Sequence, residues 1–236
     1  MKALSFVNGK WVTPNHDPVQ VYSPYTHEVI GEQWFATASD VEDALASAYA
    51  AKKDMANIPA YERAKILRRA AELLDKEKER LAKLISLELG KPLKNTRDEV
   101  SRSVATLELS SDEAKRLIGE TLLGDAAERG KEAIAVTFRV PVGVVAAITP
   151  FNAPLNLVCH KIGPAFAAGN SIILKPAPQT PLIATELLKI LLEAGFPPNA
   201  INTVYGGSGS RAANCQRWSC QCDFLYGRGI GKQEYM

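Results

Sequence analysis

The stretch Val142-Gly143-Val144-Val145-Ala146-Ala147-Ile148, followed by Thr149-Pro150-Phe151-Asn152-Ala153-Pro154, decides the fold. A run this uniformly apolar makes a strand covered on both faces, as strands of parallel sheets are. Outward from it, Leu155 to Ala168 has helical spacing and is closed by Gly169-Asn170. Ser171-Ile172-Ile173-Leu174 is a second buried strand, Pro181 to Ala194 a second helix closed by Gly195, and Ile201 to Tyr205 a third strand. Strand and helix alternate, which predicts parallel βαβ units with right-handed crossovers. The expected class is α/β with a doubly wound parallel sheet, whose ligands sit at the carboxyl ends of the strands.

Upstream, Leu4 to Val7 and Lys10 to Val12 flank Asn8-Gly9, a pair suited to positive φ in a two-residue hairpin turn. Val29 to Trp34 reads as a further strand. Ser39 with Glu42 has the capping-box spacing, followed by Val41, Ala44, Leu45, Ala48 and Tyr49 on one helical face. Pro59 opens a longer helix with a stripe of Leu67, Ala70, Ala71, Leu74, Leu81, Leu84 and Ile85, stopped by Gly90 and Pro92. Thr96 with Glu99 predicts a third helix to about Ile118, and the charge run Asp75 to Arg80 reads as a solvated helix face. Gly124 to Gly130 is a polar turn, and Ala133 to Val140 alternates as a strand does.

Composition narrows the function classes. The 236 residues carry 28 Lys and Arg against 26 Asp and Glu, a net charge of +2, so nothing favours nucleic acid or an anionic membrane surface. No apolar run is long enough to span a bilayer, and the start lacks the apolar region of a secretory signal; a cytoplasmic location is expected. The four cysteines make no disulfide framework, and Cys215, Cys220 and Cys222 lack the paired spacing of a zinc site. Cys159 and His160 are neighbours on a predicted helix, about 100° apart, and form no dyad.

Three strand ends carry the candidate chemistry. Asn152, held between Pro150 and Pro154, either donates to an oxygen that gains charge during reaction or forms an Asx turn that starts a helix. Lys175, leaving the second strand, either meets a ribose or phosphate or ends the strand in solvent. Gly206-Gly207-Ser208-Gly209 permits close backbone approach but is not G-x-G-x-x-G.

Taken together, Pro141-Val142-Gly143-Val144-Val145, Pro150 to Leu155, Lys161-Ile162-Gly163-Pro164-Ala165, Ala168-Gly169-Asn170, Lys175-Pro176, Thr180-Pro181 and Glu193 to Pro198 resemble the NAD(P)-dependent aldehyde dehydrogenase superfamily in order and spacing. The resemblance extends upstream through the Asn8-Gly9 hairpin, Tyr61 to Leu67 and Leu87 to Pro92, and covers residues 1 to about 208. It implies an N-terminal hairpin and helical part of the cofactor domain (1–120), an oligomerisation hairpin (121–140), and Rossmann-like units (141–208) in an incomplete sheet. It also implies oxidation of a small-molecule aldehyde through a cysteine thioester, with water activated by a glutamate base. Asn152 matches the oxyanion donor, and Lys175 matches the lysine at the adenosine ribose. Thr149 and Phe151 flank the dinucleotide, Ala177 lies at its ribose end, and Gly209 joins the cofactor-contacting set. NAD-preferring members carry a glutamate where Pro178 stands, so NADP is expected beside NAD. A homo-oligomer is implied for an intact member, its hairpin paired with a distant strand.

The sequence then departs from the pattern. Phe-Thr-Gly-Ser, Glu-Leu-Gly-Gly and the nucleophile motif Gly-Gln-x-Cys do not occur, and none of Cys215, Cys220 and Cys222 matches the nucleophile. Residues 209–236 are expected to be an aberrant, irregular tail. The chain as written, without nucleophile and base, is expected to bind a dinucleotide without turning over.

Overall fold

The structure, a computed structural model, describes residues 1–126, 133–206 and 223–226. Its strands are β1 Lys2–Ala3, β2 Ser5–Val7, β3 Lys10–Val12, β4 Val19–Tyr22, β5 Val29–Gln33, β6 Thr121–Leu123, β7 Ile134–Val136, β8 Val144–Ile148, β9 Ser171–Lys175, β10 Ile201–Thr203 and β11 Asp223–Tyr226. The helices are α1 Ala38–Asn57, α2 Ala60–Lys76, α3 Lys78–Leu89, α4 Leu93–Ala114, α5 Asn156–Ala167 and α6 Pro181–Ala194.

The main sheet has six strands in the order β11-β8-β9-β10-β2-β3. β11, β8, β9 and β10 are mutually parallel, and β2 joins β10 antiparallel with Phe6 opposite Thr203. Alternation of side chains explains the uniformly apolar strands. Val144, Ala146, Ile148 and Ile173 pack against Val41, Ala44, Leu45 and Ala48 of α1 on one face. Val145, Ala147, Ile172 and Leu174 point the other way, into a larger core with α2, α4, α5 and α6. Leu67, Leu74, Leu81 and Ile85 are fully buried there, each contributing about 1.5–3 kcal/mol by leaving water. The Asn8-Gly9 turn has φ of 49° and 76°, the handedness a two-residue hairpin needs. No helix among the described residues is long and apolar enough to cross a membrane.

Several expectations need correction. Thr37, not Ser39, caps α1: its hydroxyl accepts from Asp40 N at 3.2 Å while the Asp40 carboxylate accepts from Thr37 N at 2.7 Å. The long helix from Pro59 is two helices that meet at Glu77, because between Leu74 and Leu81 no fully buried side chain ties the helix to the core. α4 starts directly after Pro92 and ends at Ala114; Thr96 lies inside it, buried, with its hydroxyl donating to Leu93 O at 3.0 Å. β1 and β4 pair with β5 in a small separate sheet that the sequence did not signal. The tail expected to be irregular supplies β11, paired with β8 from Asp223 opposite Val145 to Tyr226 opposite Ile148. The strand order therefore reverses at β8, with β9 on one side and β11 on the other, which makes this edge a topological switch point.

β6 and β7 form an antiparallel two-stranded hairpin apart from the main sheet. Leu122, Leu123, Ile134, Val136 and Phe138 on it are all more than half exposed.

Candidate functional site

Parallel pairing brings the carboxyl ends of β8, β9 and β10 to one edge. Thr149, the residue after β8, donates its N–H to Lys175 O at 3.2 Å. Lys175 is buried at the end of β9, and its ammonium donates to Gly206 O at 3.0 Å, just past β10. The backbone turns there because Pro176 and Pro178 fix φ, and Thr180 N–H closes the loop onto Ala177 O at 3.2 Å. Ala177 is buried, and the half-buried residue after it is Pro178, which carries no carboxylate.

This edge is short of hydrogen-bond partners. The hydroxyls of Thr149, Thr180 and Thr203 are buried and bond to nothing among the described residues; Gln33 Nε2 is the one other such atom. A buried polar group left unpaired costs about 1–3 kcal/mol, so three at one sheet edge mark a place where polar partners are missing.

The loop after β8 presents Phe151, half exposed, and Asn152, exposed, beyond Pro150. The Asn152 carbonyl accepts a hydrogen bond from Lys91 Nζ. Both helices that follow these strand ends are capped by buried glutamates from elsewhere in the chain. Glu99 Oε1 accepts from Leu155 N at 3.0 Å and from Asn156 N at 3.4 Å, at the start of α5. Glu88 accepts from Leu182 N at 2.7 Å and Ile183 N at 2.9 Å, at the start of α6. Burial pushes the Glu88 carboxyl up to about 8, against the two N–H donors that favour its charge. The N-terminal N–H groups of α5 and α6 are thus already bonded by side chains of this chain, which leaves neither terminus open to an anionic ligand. The sequence did not show Glu88, and it offered Glu99 as a cap for its own helix and not for α5. The available signal was their place on the apolar stripes: Glu88 follows Leu81, Leu84 and Ile85, and Glu99 sits one position before buried Val100.

Cys159 is fully buried, and burial pushes its thiol up to about 12, with the Glu99 charge adding to the shift and a Ser103 hydrogen bond opposing it. Such a thiol stays protonated and packs as a core residue. His160, next to it, is exposed. Among the described residues no cluster of three His, Cys, Asp or Glu could hold a metal. Gly209, Cys215, Cys220 and Cys222 lie outside the described residues.

A parallel sheet whose strand order reverses at β8 defines a doubly wound α/β domain, and in such domains ligands sit at the switch-point edge. The aldehyde dehydrogenase family profile matches residues 11–218, and the chain belongs to that family. It is 44% identical over 201 residues to 3-sulfolactaldehyde dehydrogenase of Priestia aryabhattai, spanning 85% of this chain and 42% of that protein. It is 37% identical to the mitochondrial succinate-semialdehyde dehydrogenase of Arabidopsis thaliana, over 88% of this chain and 39% of the relative. Among solved structures, the NADP-dependent glyceraldehyde-3-phosphate dehydrogenase of Bacillus halodurans, complexed with NADP, aligns with a TM-score of 0.86 and 36% identity, over 91% of this chain and 45% of that one. The chain thus spans about two-fifths of the length of the curated relatives it matches.

Proposed function

We propose that these residues form the dinucleotide-holding part of a cytoplasmic oxidoreductase that converts an aldehyde to a carboxylic acid with NADP or NAD. The carrying observation is the carboxyl edge of β8 and β9, where an unpartnered buried Thr149 hydroxyl, the Lys175 ammonium and the Asn152 loop stand together. A dinucleotide fits this donor set, since its ribose hydroxyls and phosphates accept from Lys and Thr. Ala177 and Pro178 leave the ribose end without a carboxylate, which favours acceptance of a 2′-phosphate. When bound, the nicotinamide supplies a hydride acceptor.

The chain's own residues have separate tasks in this reading. Lys175 fixes the ribose end, and Phe151 gives the dinucleotide an apolar face. Asn152 donates a carboxamide N–H to the aldehyde oxygen as that oxygen gains negative charge. The nucleophile is not supplied by Cys159, whose thiol is buried and protonated. With Cys159 set aside, the task of this stretch in the reading is to hold the dinucleotide and to place Asn152. The exposed apolar hairpin β6–β7 supports a homo-oligomer in which a further strand covers it.

Calorimetric titration with NADP and NAD tests the reading. Lys175→Met should weaken binding about ten-fold or more, corresponding to a charge-assisted contact of about 1.5–3 kcal/mol. Thr149→Val should weaken binding while raising the thermal midpoint of the free chain, since it removes an orphaned hydroxyl. Absence of binding by either dinucleotide, or unchanged affinity in Lys175→Met, refutes the assignment.

A further inference from the structure

We propose that Lys91 is a positioning residue for Asn152, and that the Lys91–Glu99 pair holds the β8–α5 loop from both ends. The inference rests on the reading of Asn152 as the oxyanion donor. Lys91 stands at the corner between α3 and α4, and that corner is itself braced. Gly90 ends α3, Pro92 precedes α4, and Ser86 Oγ donates to Lys91 O at 2.7 Å. From this corner the ammonium reaches the backbone carbonyl of Asn152, the one residue of the loop whose carboxamide has a role in the proposed chemistry. The same ammonium lies 3.6 Å from Glu99 Oε2, while Glu99 Oε1 takes the N–H groups of Leu155 and Asn156 just beyond the loop.

The two partners differ in exposure in a way that suits this task. The Glu99 side chain is 2% exposed and Lys91 33%. A buried carboxylate bonded to two N–H groups is a fixed point, and it aims a lysine that would otherwise sample many rotamers. The loop gains a tether on its carbonyl side and a cap on its helical side, with one ion pair joining the two. Pro150 and Pro154 restrict φ at the loop's ends, but neither restrains Asn152 itself. Without Lys91, Asn152 keeps its place in the chain and loses the contact that sets its peptide plane. An oxyanion donor contributes fully only when held in place before the charge develops.

The test uses the isotope-labelled full chain and needs no ligand. Backbone order parameters are measured by NMR relaxation at Asn152 and Ala153 in the parent, Lys91→Met and Lys91→Arg. In the parent both sites should be near 0.85; Lys91→Met should bring them to about 0.6 or below, with β9 and α2 unchanged. Lys91→Arg, which restores a donor, should recover most of the order; a residue acting only through packing would not show this rescue. Order parameters at Asn152 and Ala153 that match the parent in Lys91→Met, or that stay low in Lys91→Arg, overturn the proposal. Dinucleotide titration of the same samples separates the two readings. A chain that binds neither dinucleotide yet loosens at Asn152 in Lys91→Met supports the tether and counts against the oxidoreductase assignment.

Discussion

Glu88 offers the sharpest test of which force governs a buried carboxyl at a helix start. Two N–H donors and the positive end of α6 favour the charged form, whereas burial to 4% exposure opposes it. Burial prevails, taking the group from 4.5 to about 8. At about 1.4 kcal/mol per pH unit this shift amounts to about 5 kcal/mol of folding free energy. The sign follows from linkage. The folded-state value lies above the unfolded one, so the cost is absent below about pH 4.5, grows as pH rises, and is complete above about pH 8. Glu88→Gln is neutral throughout; its amide oxygen still accepts from one N–H, but its NH2 group opposes the other, a fixed cost of about 1–3 kcal/mol. The variant should therefore be less stable than the parent at pH 5 and more stable at pH 9. Urea unfolding of both chains across that range measures the difference. If the difference stays constant at every pH, or moves in the parent's favour as pH rises, the helix terminus offsets or outweighs burial and the reasoning fails.

Further outcomes follow from the same structure. Pro178→Glu should shift preference toward NAD by about ten-fold or more, by adding a ribose acceptor and repelling a 2′-phosphate; competition between the two dinucleotides at fixed salt checks it. Thr37→Ala should cost about 1 kcal/mol in urea unfolding and Ser39→Ala much less, since the cap of α1 lies at Thr37. Phe138→Lys, placed on the exposed hairpin, should lower self-association in sedimentation velocity without moving the thermal midpoint.

The parallel units were legible because the requirement they meet is local. A strand flanked by α1 on one face and by α5 on the other must be apolar at every position, and Val144 to Ile148 show it. Pro181 and Gly195 likewise mark the ends of α6 by their own conformational limits. Less could be read where distant parts of the chain decide. Nothing near Ser5 says that β2 will lie against β10, and a two-residue strand such as β1 has no period to detect. The apolar runs placed Asn152 and Lys175 at or just beyond strand ends, where the structure also has them; the family resemblance added only their roles. Their partners were hidden, since Gly206 O and Lys91 come from other segments. So was Glu99, which caps α5, because a glutamate in a helix reads as solvated until the packing is known.

The antiparallel joint between β2 and β10 also sets a timetable. Tyr205 N–H meets Ser5 Oγ across 200 residues of chain. At a synthesis rate of about 5–20 residues per second, the N-terminal hairpin waits about 10–40 s on the ribosome before its partner strand has been made. Throughout that interval Phe6 and Val7, both buried in the finished sheet, have nothing from β10 to cover them. These strands are thus secured long after they are made, and a chaperone that binds the nascent chain would find its opening there.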